Sequence, residues 1–414
     1  MRVIQANYPR QVKELMQDIR VDPYGIAIMA PKAVQYLLKV GSVSNIAANI
    51  LKQEMLSIGG DVAVCRNALT GRVKKTDCLV MGNFSQFKRL ITKLHRQPLG
   101  LDILAHDLSL AIRNYQKENF SINLGRFKIN LGRRPLIMGV VNVTPDSFSG
   151  DGLYQGHKVT KSVRSEAKPP RRGQSHKVAV DYALRLVDEG ADIIDVGGES
   201  TRPGAAPVSL KEEAKRVIPF IKTLAKKVKI PISIDTYKPE LAKQALDAGA
   251  VIVNDISGLR NDAMPRIISR YKAGVVIMHM KGEPRTMQKN PHYLSLIDEI
   301  TEYLAAAICK AKEAGVDEER IIVDPGIGFG KTQEDNLKIL SRLAEFKALG
   351  RPILVGTSRK SFIGKLLDTP PHERINGTVA SCVLAVKNGA KIVRVHDVGP
   401  VKEALTIVEG IEGI

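Results

Sequence analysis

From Pro135 onward the chain repeats one pattern. A short apolar run, rich in Val and Ile, gives way to polar residues, and an amphipathic stretch then leads into the next run. The runs are Leu136–Val141, Asp192–Val196, Pro231–Ile234, Val251–Val253, Gly274–Met278, Ile321–Val323, Pro352–Val355 and Lys391–Val393. Near-continuous apolar runs, unlike alternating ones, fit strands covered on both faces. The stretches between them, such as Lys238–Asp247 and Leu294–Ala314, are compatible with helix. Eight strand–helix units in series predict an α/β fold, a closed (β/α)8 TIM barrel over residues 135–414; a doubly wound open sheet is the alternative. Gly190-Ala191, Gly249-Ala250 and Gly389-Ala390 stand where a helix C-cap would hand over to a strand.

Residues 1–122 do not share the repeat. Helical stretches at Lys32–Leu38, Asn45–Ser57, Phe84–Leu94 and Ile103–Gln116, with short apolar runs at Ile26–Met29, Asp61–Val64 and Cys78–Met81, predict a separate small α/β domain of unassigned role. Residues 123–134 read as a linker or as a hairpin capping the barrel's bottom. Residues 155–177 hold seven Lys/Arg, one Glu and a Pro-Pro pair without apolar periodicity. That composition predicts a disordered or mobile basic insertion in the first βα loop.

Charge adds a question that the pattern does not raise. The 414 residues carry 62 Lys and Arg against 43 Asp and Glu, a net charge of +19. Such a surplus serves nucleic acids, anionic substrates or merely a solvated surface. No zinc-finger, RRM or basic-zipper pattern accompanies it and Trp is absent, so a nucleic-acid partner is not expected. The four cysteines, at 65, 78, 309 and 382, form no CxxC pair and read as reduced thiols of a cytoplasmic protein. No run of about 18 apolar residues predicts a membrane span, and Met1–Asn7 lacks the apolar core of a secretory signal.

In a TIM barrel the chemistry sits at the C-terminal ends of the strands. Here those ends read Asn142, Asp195-Val196-Gly197-Gly198-Glu199, Asp235, Asn254-Asp255, His279, Asp324, Gly356-Thr357-Ser358-Arg359-Lys360 and Arg394-Val395-His396. Nearly every strand ends in a polar or ionisable group, so a ring of such groups is expected at one mouth. Gly326–Lys331 nearly matches a Walker A loop, but Pro325 stands where its first glycine belongs and cannot donate an N–H to phosphate.

Asn142-Val143-Thr144-Pro145-Asp146-Ser147-Phe148-Ser149 and Gly198-Glu199-Ser200-Thr201-Arg202-Pro203-Gly204 resemble the first two signatures of dihydropteroate synthases. Asp235, Asn254-Asp255, Met278-His279-Met280, Asp324–Lys331, Gly356–Phe362 and Arg394-Val395-His396 continue the resemblance in the family's order, over about residues 135–414. The first loop departs from it: Ser-Gly-Asp-Gly replaces the common Ser-Asp-Gly-Gly, which moves its aspartate to Asp151.

The resemblance implies condensation of 6-hydroxymethyl-7,8-dihydropterin pyrophosphate with p-aminobenzoate, giving 7,8-dihydropteroate and pyrophosphate, by a sulfonamide-sensitive homodimer that uses Mg²⁺. Carboxylate and amide acceptors suit the amino-pyrimidinone edge of the pterin. Asp235, Asn254 and Asp324 would meet that edge, Lys360 would donate to ring acceptors, and Met278 and Phe329 would face the ring. A structural alternative makes Asp235 and Asp324 helix N-caps. Thr201, Arg202, Arg394 and His396 would hold the pyrophosphate with Asn142, which also offers an oxygen to Mg²⁺. Phe148 and Pro203 would wall the p-aminobenzoate ring, with its carboxylate near Ser358, Lys360 and the start of the following helix. Thr144, Pro145, Asp146, Ser147, Asp151 and Ser200 belong to the catalytic loops. Two other readings stay open: a methyltetrahydrofolate–corrinoid methyltransferase on the same scaffold, and a non-catalytic RNA-binding or regulatory barrel.

Overall fold

The computed structural model describes residues 1–4, 9–132, 134–143, 172–199 and 207–412. It forms two compact units, Met1–Arg113 and Asn114–Ile414.

In the first unit, β1 (Gln35–Ser44), β2 (Asp61–Val64) and β3 (Lys75–Asn83) make an antiparallel sheet in the order β1-β3-β2. Alternation explains its two faces. Tyr36, Val62, Cys78 and Val80 are buried, while Leu37, Lys39, Asp77 and Leu79 are exposed. The helices Asn45–Leu56 and Phe84–Leu94 turn Ala47, Ala48, Leu51, Met55, Phe87, Leu90 and Leu94 inward. The sequence expectation errs at one place here. Of Lys32–Leu38 only Lys32 and Ala33 are helical: the helix Pro23–Ala33 ends there and absorbs the Ile26–Met29 run, and β1 takes over from Gln35. Tyr36 finds a buried place against Phe84 and Phe87, so the packing of the sheet overrides the local helical spacing.

The second unit opens with an antiparallel hairpin, β4 (Phe120–Leu124) and β5 (Phe127–Leu131), whose turn carries Gly125 at φ +68°. Eight parallel strands then close a barrel: β6 (Leu136–Asn142), β7 (Ile193–Gly197), β8 (Ile232–Asp235), β9 (Ile252–Asp255), β10 (Gly274–Met278), β11 (Ile321–Asp324), β12 (Ile353–Val355) and β13 (Ala390–Val395). All eight predicted runs are barrel strands, and the open-sheet alternative is excluded because β13 pairs with β6. Gly190, Gly249 and Gly389 have φ between +103° and +116°, a conformation that a side chain would oppose, as the helix-to-strand reading requires. The helix Arg172–Asp188 starts inside the predicted basic insertion, so residues 172–177 are helical rather than disordered. The remainder of that insertion, 155–171, lies outside the described residues.

The strand period of two divides the barrel core. Ile194, Val196, Ile234, Val253, Val275, Ile277, Val323, Val355 and Val393 face the surrounding helices. Leu136, Met138, Ile193, Ile252, Val276, Ile322, Leu354 and Ile392 face the interior and pack with Ile122, Leu124, Ile129 and Leu131 of the hairpin, which plugs the bottom. Stepping two residues further along the same strands leads from this apolar layer to the mouth.

Candidate active site

Those steps are short and specific. Ile193 leads to Asp195, Ile252 to Asn254, Val276 to Met278, Ile322 to Asp324, Leu354 to Gly356 and Ile392 to Arg394. Each second residue keeps the inward direction of the first. The mouth they form holds roughly 450 Å³ of space, partly open to solvent. Asp235, Asn254, Met278, Asp324, Phe329, Ser358, Lys360, Arg394 and His396 all line it, together with Ile256, Ile327 and Gly356.

Charge at this mouth is paired. Arg394 spans two carboxylates, its Nε donating to Asp195 Oδ2 at 2.6 Å and its Nη2 to Asp235 Oδ2 at 2.7 Å. Asn254 Nδ2 also donates to Asp195 Oδ2, at 3.0 Å. That bond turns the amide oxygen of Asn254 away from Asp195. Burial raises the Asp235 carboxyl to about 7, against the pull of Arg394 and with the push of the Asp195 charge. Burial likewise raises Asp324, opposed by the Gly326 N–H, which donates to Asp324 Oδ1 at 2.7 Å. Neither aspartate is a helix N-cap: Lys238 and Thr332 occupy those positions.

Lys360 sits between the acids and an aromatic ring. Its ammonium lies 4.1 Å from the Phe329 ring centroid, and burial and the Arg394 charge bring it down to about 8. Phe329 packs against Ile256, Met278, Met280 and Met287, so one side of the mouth is apolar and flat. Ser358 Oγ pairs with His396, accepting from its backbone N–H at 3.2 Å and lying 3.0 Å from Nδ1. Arg359 is held by Asp397 at 2.6 Å, and Arg374 donates to the Arg359 carbonyl at 3.0 Å. These contacts fix the segment that presents Ser358 and Lys360.

Asn142 stands apart. It ends β6, is exposed, and pairs in register with Gly197 rather than lining the mouth with the others. A Cβ on Gly197 would come 3.1 Å from Asn142 Oδ1, so the glycine leaves that oxygen room. Thr144, Pro145, Asp146, Ser147, Phe148, Asp151, Ser200, Thr201, Arg202 and Pro203 lie outside the described residues. Glu199 accepts from Lys238 Nζ at 2.5 Å and Tyr237 Oη at 3.1 Å, which fixes its carboxylate.

Two residues without a role in the sequence reading belong here. Asp195 is fully buried and holds both Arg394 and Asn254, and its Oδ1 has no partner among the described residues. Its signal was the inward spacing from Ile193. Lys331 is also buried and donates to the Phe329 carbonyl; the sequence brought it in only as the last residue of the Asp324–Lys331 motif and of the rejected Walker A match, with no role.

The family model described as "Pterin binding enzyme" matches residues 158–396, more than half of the chain. A dihydropteroate synthase of Synechocystis is 45% identical over 292 residues, 70% of this chain and 94% of that protein. A probable bifunctional folylpolyglutamate synthase/dihydropteroate synthase of Halobacterium salinarum is 37% identical over 401 residues, 96% of this chain and 45% of the longer protein. That alignment runs through most of the first unit as well as the barrel. The structure of Xanthomonas albilineans dihydropteroate synthase with 4-aminobenzoic acid superposes with a TM-score of 0.63 at 38% identity, covering 72% of this chain and 99% of that one. With its barrel, its acid- and amide-lined mouth and these likenesses, the chain belongs to the pterin binding enzymes and, among them, to the dihydropteroate synthase family.

Proposed function

We propose that the mouth divides the family's reaction, condensation of 6-hydroxymethyl-7,8-dihydropterin pyrophosphate with p-aminobenzoate, among three groups of side chains. The observation that carries this reading is the convergence of Asp235, Asn254 and Asp324 with Lys360 and Arg394 on one cavity. The acids and the amide take the donor-rich edge of the pterin, and Lys360 donates to a ring acceptor. Met278 and Phe329 supply an apolar face. A buried polar set of this kind rejects rings that leave it unpaired. Arg394 and His396, with Thr201 and Arg202 from the second loop, hold the pyrophosphate.

As the pyrophosphate leaves, the pterin methylene becomes electron-poor and the aryl amine of p-aminobenzoate attacks it. No side chain acts as nucleophile in this scheme. The cationic groups stabilise the departing anion. The p-aminobenzoate ring lies between Phe148 and Pro203, with its carboxylate toward Ser358 and Lys360. The catalytic loops contribute Thr144, Pro145, Asp146, Ser147, Asp151 and Ser200. The 4-aminobenzoic acid of the Xanthomonas structure supports an aryl amine as second substrate.

Mg²⁺ fits Asn142 in one respect. Asn142 is an exposed residue whose amide oxygen would be the ion's one protein ligand, and among the described residues no group of three His, Cys, Asp or Glu side chains could hold a metal. An ion bound mainly through substrate phosphates needs no more protein ligands than that. Bound there, it would neutralise charge on the pyrophosphate. Among the described residues no helix is long and apolar enough to cross a membrane. We place the enzyme in the cytoplasm as a homodimer. We further assign Met1–Arg113 to a separate module and 135–414 to catalysis, with the hairpin of β4 and β5 on the barrel side of the boundary, capping its bottom. The Halobacterium alignment supports the module as a part of this extended form.

The test is release of pyrophosphate when the pterin pyrophosphate and p-aminobenzoate are mixed with the full chain. Turnover requiring both substrates, with sulfonamides competing against p-aminobenzoate, is expected. Absence of pyrophosphate release with both present would end the reading.

A further inference from the structure

We propose that Lys331 is a positioning residue that staples the Phe329 loop to the end of β10 and thereby sets the surface on which the pterin ring rests. This rests on the assignment of Phe329 as a pterin-facing residue.

The loop from Asp324 to Lys331 has little freedom. Gly326, Gly328 and Gly330 take φ of +72°, +82° and +64°. A Cβ on Gly326 would lie 1.9 Å from the His279 carbonyl oxygen, and one on Gly330 would lie 2.3 Å from the Lys281 carbonyl oxygen. Loop backbone therefore packs directly on the backbone that follows β10, with no side chain between. Such close packing positions the chain only if something holds the two layers in register.

Lys331 does so. Its ammonium is buried, and Nζ lies 3.0 Å from the Phe329 carbonyl oxygen, 3.4 Å from the His279 carbonyl oxygen and 2.9 Å from His279 Nδ1. An ammonium has three N–H donors, and here it meets three acceptors. One of them belongs to the residue whose ring lines the mouth, and two belong to the neighbouring strand end. His279 suits the part of acceptor: burial first, then the Lys331 charge, hold its ring neutral, with its basicity down to about 2. It is fixed edge-on to Tyr303 at 5.0 Å between ring centroids. Burial also brings Lys331 down to about 7, with Lys360 and Lys281 acting the same way and Asp324 and Asp335 opposing. The three acceptors favour the charged form against that pull.

The Phe329 N–H donates to the Gly326 carbonyl at 3.1 Å within the loop and its ring packs on Ile256 and the methionines, while hydrogen bonds from outside hold the loop's flanks. Gln288 donates to the Gly328 carbonyl at 2.7 Å, Tyr293 to the Gly330 carbonyl at 2.7 Å, and the Gly328 N–H to Asn336 Oδ1 at 2.7 Å. Lys331 bonds the Phe329 carbonyl itself. Without it, the platform formed with Met278 and Met280 would lose its register and the Lys360 ammonium its ring.

Equilibrium titration with the pterin pyrophosphate, without p-aminobenzoate, tests this in the full chain. Lys331→Met should raise the Kd about tenfold, the usual scale for a buried polar contact left unpaired, while the KM for p-aminobenzoate shifts less than about twofold. On a Phe329→Ala background the same substitution should add almost nothing, because both changes act through one ring. Lys331→Gln keeps an amide donor and should fall between, and it serves as the test variant if the Met protein does not fold. An unchanged Kd in Lys331→Met or Lys331→Gln, beside a weakened Phe329→Ala, would overturn the staple alone. So would full additivity of the two substitutions. Normal pterin binding by Phe329→Ala would overturn the stacking assignment and the staple with it.

Discussion

The two ends of the barrel are built from the same strands, a few ångströms apart, and they ask different things of the chain. At the bottom, Leu136, Met138, Ile193, Ile252, Val276, Ile322, Leu354 and Ile392 meet the hairpin residues Ile122, Leu124, Ile129 and Leu131 in an apolar layer. At the mouth, two residues further on, the same inward direction holds Asp195, Asn254, Asp324 and Arg394. Burial stabilises the first layer and strains the second. It pushes Asp235 up to about 7 and Lys360 down to about 8, away from the charge states each holds in water. The bottom thus carries the stability that lets the mouth keep buried charges for a ligand.

That contrast can be broken experimentally. The largest effect is expected at the mouth. Lys360→Ala should lower kcat/KM for the pterin substrate by roughly 10²–10³-fold, measured by pyrophosphate release, because a preorganised charged donor is lost. Near-normal turnover would remove Lys360 from the pterin site. At the bottom, Leu131→Ala should destabilise the barrel by about 2–5 kcal/mol in denaturant unfolding while leaving both KM values within about twofold. A large change in KM with unaltered stability would show that the two ends are not separable in this way.

A smaller effect sharpens the comparison. Asp195→Asn keeps the shape but removes the carboxylate that Arg394 and Asn254 share. A loss of about tenfold in kcat/KM is expected, on the scale of one charge-assisted hydrogen bond. Unchanged kinetics would make Asp195 a structural residue like Ile193. The smallest effect is in pH. Lys360 donates as an ammonium, and Asp235, Asp324 and Arg394 share its surroundings. Protonated below about 8 and neutral above, it should make kcat/KM decline as pH rises through that value. Lys360→Arg, charged throughout, should lose that limb even if its activity is lower; a limb that persists in this variant belongs to another group.

Much of this was legible before any coordinates. Apolar runs ending in polar residues predicted eight barrel strands and a polar mouth, and the motifs named Asp235, Asn254, Met278, Asp324, Phe329, Ser358, Lys360, Arg394 and His396, all of which line it. Lys32–Leu38 misled because a helical spacing over seven residues is outweighed by the burial of Tyr36 in a sheet. The helix start at Arg172 was hidden by a basic, aperiodic sequence whose support comes from the barrel wall: Ala179, Val180, Ala183 and Leu186 sit in its core.

By itself the sequence determined the strand count, the parity of inward and outward residues and the chemistry at the strand ends, because each of these is a local period or a residue type. Tertiary structure decided which polar groups share partners. Arg394 lies far along the chain from Asp195 and Asp235, and Lys331 from His279, yet closure of the barrel brings them within hydrogen-bond distance. Pairing of buried charges depends on separation in space and on exclusion of water, and neither is written in the order of residues.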